Sequence, residues 1–315
     1  MREVVGDATP LAGAETLGED QRIHGGLSRR DVGEAPRRER GRRRGRRRRR
    51  DVVYGLAWAW LGIVAVAAIA APWLPLDPDA QNLQDRLAPP FSPGHVLGTD
   101  GLGRDLLAQL VEGARVTLAI SVSAVVIGML AGGAIGVAAG FYRGPVEAVI
   151  LWLANVILAF PGLVLLLGLV AFFGRSMSTI ILVIGFLSVP TYARVARATT
   201  LAVAQREYVL AAYAMGASRR RIMWGEILPN VARPVAAFGL VALGVLIVLE
   251  TSLAFLGLSV NQVSWGAIIG QGRQHMSTTT NPVLSASVVV FLTVLSVNFA
   301  GDELRRRFDV KESNL

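Results

Sequence analysis

Six stretches of this 315-residue chain are apolar enough, for long enough, to cross a lipid bilayer. They cover residues 52–72, 114–141, 146–173, 177–195, 231–258 and 283–301. A helix needs about 20 apolar residues to traverse the ~30 Å hydrocarbon core. No water is available there to satisfy peptide groups, so each backbone segment must bond to itself. The expected fold class is an all-α membrane protein with six transmembrane helices. Residues 1–51 then form an N-terminal tail, residues 52–301 the transmembrane domain, and residues 302–315 a short C-terminal tail.

Basic residues set the expected orientation, because cytosolic loops retain them. With the N-terminus inside, 27 arginines and lysines fall on the cytosolic side and 4 on the outer side, with Arg115 at a boundary. Without the tail the split is still 12 to 4. Both termini are therefore expected on the cytosolic side of the membrane. Residues 1–50 hold 15 arginines against 8 acids, and the tail ends in "RRERGRRRGRRRRRD". Neither a fold nor interleaved aromatics accompanies that charge, so it reads as a disordered basic tail rather than a nucleic-acid site. Anionic lipid headgroups are the natural contact for such a run. The first twenty residues lack an apolar core, so no cleavable signal peptide is expected.

Several chemistries are excluded by composition. The chain has no cysteine, hence no disulfide and no thiolate metal site, and its three histidines are scattered. Its one lysine, Lys311, lies in the tail, so the P-loop sequence that cradles ATP phosphates is absent. No cofactor or metal is expected on this chain.

Within the spans, Gly128, Gly132, Gly136 and Gly140 recur every four residues. On a helix they make one smooth face for close packing, with a lining of the transport path as the alternative. Pro161 in the third span removes a backbone bond and predicts a kink. Glu250 is an acid at membrane depth, which marks a candidate for the substrate path. The plainer reading puts it near the outer end of its span, against water or a neighbouring hydroxyl. The outer segment 73–113 carries Asp77, Asp79, Asp85, Asp100 and Asp105. It reads either as a surface that meets the ligand or as a solvated loop with a short surface helix over 105–111.

The loop between spans four and five, residues 196–230, is the long cytosolic feature. Glu207 to Met215 reads as a short helix, and Gly216 is suited to end it in the left-handed conformation. Ser218 can cap a second short helix, with Ile222, Met223 and Ile227 turned toward apolar surface. Pro229 should stop that helix, since it pushes Leu228 out of helical geometry.

This stretch, "LAAYAMGASRRRIMWGEILPN", resembles the EAA loop of permease subunits of ABC importers. Ala211, Ala212, Gly216, Ile227, Leu228 and Pro229 match that pattern, with Ala217 and Ser218 beside them. Leu210 stands where the family has its glutamate, and an acid occurs three residues earlier at Glu207. The segments "HVLGTDGLGRDLLAQLVEGARVTL", "ETSLAFLGLSVNQVSWGAIIGQGR" and "FLTVLSVNFAGDELRRRFD" are similar to the C-type subunits of dipeptide, oligopeptide and nickel permeases. The resemblance implies a type I ABC importer permease fold with a cytosolic coupling helix. It also implies a B-type permease partner, two ATPase subunits that use ATP and magnesium, and an extracytoplasmic substrate-binding protein. An ion-coupled secondary carrier is the rival. It calls for inverted repeats and ion ligands at the midplane, neither of which is visible in the sequence.

Overall fold

The computed structural model describes the backbone of residues 31–312 and the side chains of residues 51–306. Residues 1–30, the first part of the expected disordered tail, lie outside the described residues. The chain divides into two compact units, Met1–Arg49 and Arg50–Leu315, and the second contains every candidate span.

Helix α1 runs over Asp31–Ala70, so helical backbone begins well ahead of the expected first span. Its membrane-compatible part is Asp51–Trp73, which includes a short 3-10 turn. The second span is α2 (Leu106–Ile127), a π-helical turn at Gly128–Gly132, and α3 (Gly133–Tyr142). It is one 37-residue run. The short surface helix expected over 105–111 is instead the start of this span. Asp105 caps it by accepting from the Ala108 amide at 2.8 Å.

The third span is broken rather than kinked. Helices α4 (Pro145–Leu158) and α5 (Gly162–Phe173) meet at 85° across Ala159–Pro161. Proline alone bends a helix less sharply. Here the helical bonding stops outright, and Pro161 adopts a non-helical ψ of 118° ahead of Gly162. The pair nevertheless crosses the bundle. Glu147 in the first turn of α4 pairs with Arg197, near one end of α6 (Met177–Ala204). Arg175, just past α5, donates to the Gly257 carbonyl at 2.8 Å, beyond the far end of α9 (Leu228–Phe255). Arg197 and Ser176 lie about 30 Å apart along α6 at 1.5 Å per residue, the thickness of the hydrocarbon core.

Between α6 and α9 sit two short helices, α7 (Glu207–Ala214) and α8 (Arg219–Ile222). Helices α10 (Trp265–Gly272) and α11 (Asn281–Glu312) complete the chain. Six crossings bring the start of the first span beside the end of α11. The Trp58 indole donates to Glu303 at 2.9 Å, and the rings of Tyr54 and Phe299 meet edge to face.

The glycine row is a packing surface. A Cβ at Gly132 would sit 2.6 Å from the Tyr192 Cβ, and one at Gly140 would sit 2.8 Å from the Thr200 Cβ. A Cβ at Gly136 would meet the Ala193 carbonyl and Ala196. The backbone of the second span thus lies directly on α6, which removes the reading of this face as a path lining.

Segment 74–105 is folded rather than loose. Asp100 holds Arg104 through its side chain at 2.7 Å and also accepts the Gln109 amide at 3.1 Å. Arg104 reaches on to the Gln271 carbonyl oxygen at 2.6 Å, which ties this segment to α10. The Asn281 amide adds a bond to the Leu97 carbonyl at 2.6 Å. His95 closes the turn onto Asp105 at 2.8 Å.

Candidate coupling site and polar groups of the bundle

Residues 205–229 form a knob at one face of the bundle. Glu207 stands at the first position of α7, where an acid suits the positive end of the helix dipole. The eight-residue helix ends in a Schellman turn. The Ala217 amide bonds the Ala212 carbonyl and the Gly216 amide bonds the Tyr213 carbonyl, each at 3.0 Å. Gly216 takes φ +79°, as expected from its position. Ala212 and Ala217 are the apolar pair that closes this turn, and both pack against the main core. Small side chains at these positions let the turn lie flat on the bundle.

Ser218 caps α8 by accepting from the Arg221 amide at 3.4 Å. Ile222 and Ile227 are fully buried, as their spacing predicted, while Met223 is half-buried. Pro229 does not stop the helix. Residues Arg219–Phe255 run continuously into the fifth span. The reason is local: a π-helical turn at Met223–Ile227 widens the backbone just ahead of the proline. Pro229 then falls in the first turn of α9, where no amide proton is needed. The Asn230 side chain donates to the Glu226 carbonyl at 2.6 Å and satisfies a group left by the irregular bonding. Leu228 is half-buried and helical.

The knob has two faces. Val209, Ile222 and Ile227 join Val203 and Val231 in the central core, so it is packed onto α6 and α9. Tyr208, Leu210, Ala211 and Met215 lie on the outward side, with Met215 81% exposed. Trp224 is exposed as well. Clustered exposed apolar side chains of this kind mark an interaction surface. Leu210 points outward, so its replacement of the family's glutamate alters the surface of the knob and leaves its core intact.

Glu250 is fully buried, which overturns contact with bulk water, whereas the neighbouring hydroxyl is present. Ser259 donates to one carboxylate oxygen at 3.4 Å, and the hydroxyls of Thr117 and Ser264 lie beside the group. Thr117 and Ser264 each accept a backbone amide, from Trp265 and Ala267, which leaves their own protons available to the carboxylate. Glu250 therefore bonds the turn ahead of α10 through Ser259 and faces Thr117 of α2, while its second carboxylate oxygen has no hydrogen-bond partner among the described residues. Pro161 lies exposed at the break in the third span. The adjoining Gly162 borders an apolar cavity of about 200 Å³ with Leu166, Tyr192 and Phe238. Neither Glu250 nor Pro161 is itself part of that lining, although Leu249, the neighbour of Glu250, is.

A larger cavity of about 750 Å³ opens at the face opposite the knob. Arg104, Gln271 and Arg273 line it beside the turn 256–263. Sequence reasoning passed over these residues. They lie in two segments far apart in sequence, and only the contact between segment 74–105 and α10 gathers them.

A six-crossing helical bundle with an apolar knob at one face and a polar cavity at the other is built as a membrane transport subunit. Residues 119–310 match the family described as binding-protein-dependent transport system inner membrane component, and the chain belongs to that family. Its relatives include the glutathione transport system permease protein GsiD of Pectobacterium atrosepticum. That protein is 34% identical over 251 residues, covering 79% of this chain and 83% of its own. The di/tripeptide transport system permease protein DppC of Pseudomonas aeruginosa is 34% identical over 260 residues, covering 80% and 86%. A solved structure of the MetNI methionine ABC transporter, in inward-facing conformations, shares the fold with a TM-score of 0.52 at 22% identity. It covers 64% of this chain and 96% of that chain. The protein is thus a permease subunit of an ABC importer, a multi-pass membrane protein and not an enzyme; ATP hydrolysis resides in a separate subunit.

Proposed function

We propose that this permease carries peptides or a related small solute inward, paired with a B-type permease subunit above two ATPase subunits. Both termini lie in the cytosol in this reading, with the knob at the inner face and the 750 Å³ cavity at the outer face. The distribution of arginines supports that orientation. An extracytoplasmic binding protein delivers the solute to the outer face, and the basic tail rests on anionic lipid headgroups. The names of the relatives, peptide and glutathione permeases, support the substrate class.

Coupling runs through residues 205–229. Glu207, Ala211, Ala212, Gly216, Ala217, Ser218, Ile227, Leu228 and Pro229 build a rigid two-helix knob. Its outward apolar side enters a groove on the ATPase. The observation that carries this reading is the double attachment of the knob, exposed through Ala211 and Met215 and rooted in the core through Val209 and Ile222. When ATP and magnesium close the ATPase dimer, movement of the knob is passed to α6 and α9. Outward and inward openings then alternate. The test uses the absence of native cysteine. Ala211→Cys should cross-link to the ATPase in the assembled complex and Asp85→Cys should not. Absence of any cross-link from residues 208, 211 and 215 in an active complex removes the coupling role.

A further inference from the structure

The outer cavity carries an arginine with an unusual set of neighbours. The Arg273 guanidinium lies over the Phe255 ring, 5.2 Å from its centroid. Among the described residues no carboxylate pairs with it. A guanidinium held over an aromatic face keeps N–H groups available away from the ring, and these can receive a carboxylate in two parallel hydrogen bonds.

Gln271 lines the same cavity, close by at the end of α10. Its carbonyl oxygen accepts from Arg104 at 2.6 Å, and Arg104 is itself buried and held by Asp100. That bond orients the amide, so its NH2 end is the one left to donate. Asn261, Gln262 and Gln274 add further amides to the wall. Of the acids on the lining, Glu112 is occupied by Arg115 at 3.2 Å, while Asp79 makes no ion pair among the described residues. The wall thus offers one free cation, one free anion and several amides in about 750 Å³, a volume suited to a small ligand with water around it.

We propose that this cavity is a receiving site for the transported solute, in which Arg273, with Gln271 beside it, binds a free carboxylate. Asp79 supplies the opposite charge for an ammonium group, so the site favours zwitterions such as short peptides with unblocked ends. This assignment rests on the peptide reading above and adds a binding step on the permease itself. The alternative occupant, an acidic side chain of the binding protein, is separated by the test.

The complex of permease partner, ATPase and this chain is placed in lipid nanodiscs without binding protein. Binding of Ala-Ala-Ala and of its C-terminal amide is followed by saturation-transfer NMR. The free acid should bind about tenfold more tightly than the amide, the scale of one charge-assisted contact. Arg273→Gln should abolish that preference, and Arg115→Gln should keep it. Arg273 is exposed, so its loss should leave the melting temperature of the complex in place. Equal binding of acid and amide by the wild-type complex overturns the proposal. So does an acid preference that survives Arg273→Gln while docking of the binding protein weakens, which would assign Arg273 to protein contact. Uptake of the same peptide in the full system, measured in parallel, isolates the parent reading. Intact uptake with no acid preference removes this site alone, and absent uptake removes the peptide reading.

Discussion

Replacing Gly216 separates a knob that transmits motion from one that merely connects two spans. The space around it is open, for a Cβ there meets nothing within 4 Å. Steric collision inside this chain therefore contributes nothing. The cost comes from φ +79°, where a residue with a Cβ loses about 1–2 kcal/mol. For a six-crossing bundle that is a small fraction of total stability. For α7, eight residues long and held by Val209 in the core and by its closing turn, it is a large share of the local margin. Gly216→Arg should thus insert and fold, yet loosen the Ala217–Ala212 and Gly216–Tyr213 bonds and add bulk to the outward surface. Uptake in proteoliposomes should fall about five- to thirtyfold, since about 1.4 kcal/mol is a factor of ten in the population of the docked form. Gly216→Asn tolerates the same backbone and should retain most activity. Wild-type uptake and substrate-stimulated ATPase in a well-expressed Gly216→Arg complex would refute the reasoning.

Gly136→Leu should act differently, because its Cβ has no room against the Ala193 carbonyl and Ala196. Overpacking of this kind costs about 1–3 kcal/mol, and the melting temperature of the purified complex should drop accordingly. For Glu250, the Gln variant keeps an acceptor for the Ser259 hydroxyl and should melt near wild type. Glu250→Leu strands that hydroxyl in the bundle, at a cost of about 1–3 kcal/mol read by the same melting assay. Topology is checked with an impermeant thiol reagent on intact cells. Cysteines at Asp85 and Gln262 should label from outside, and one at Arg220 only after permeabilisation. Outside labelling at 220 would invert the orientation.

The sequence alone determined the class of fold, the number of crossings and the location of the knob. Lipid cannot hydrogen-bond a backbone, so a long apolar run has one solution, and counting such runs counts helices. Local rules also sufficed for Gly216, Ser218 and the buried Ile222 and Ile227. A Schellman turn, a cap and helical periodicity depend on residues within about five positions of one another. The same locality misled at Pro229 and at 105–111. Whether a helix continues through a proline depends on a π-turn stabilised by packing against the core, and a short surface helix differs from the top of a span only by what lies beyond it. Tertiary structure decided the rest. It turned the expected kink at Pro161 into an 85° break that still crosses the bundle. It laid the glycine row on α6 and buried Glu250 among hydroxyls from α2 and the turn before α10. It also joined Arg104 to Gln271 across 167 positions of sequence and set Arg273 on Phe255. Those contacts depend on how helices distant in sequence are arranged in space, and periodicity within one helix carries no record of its neighbours.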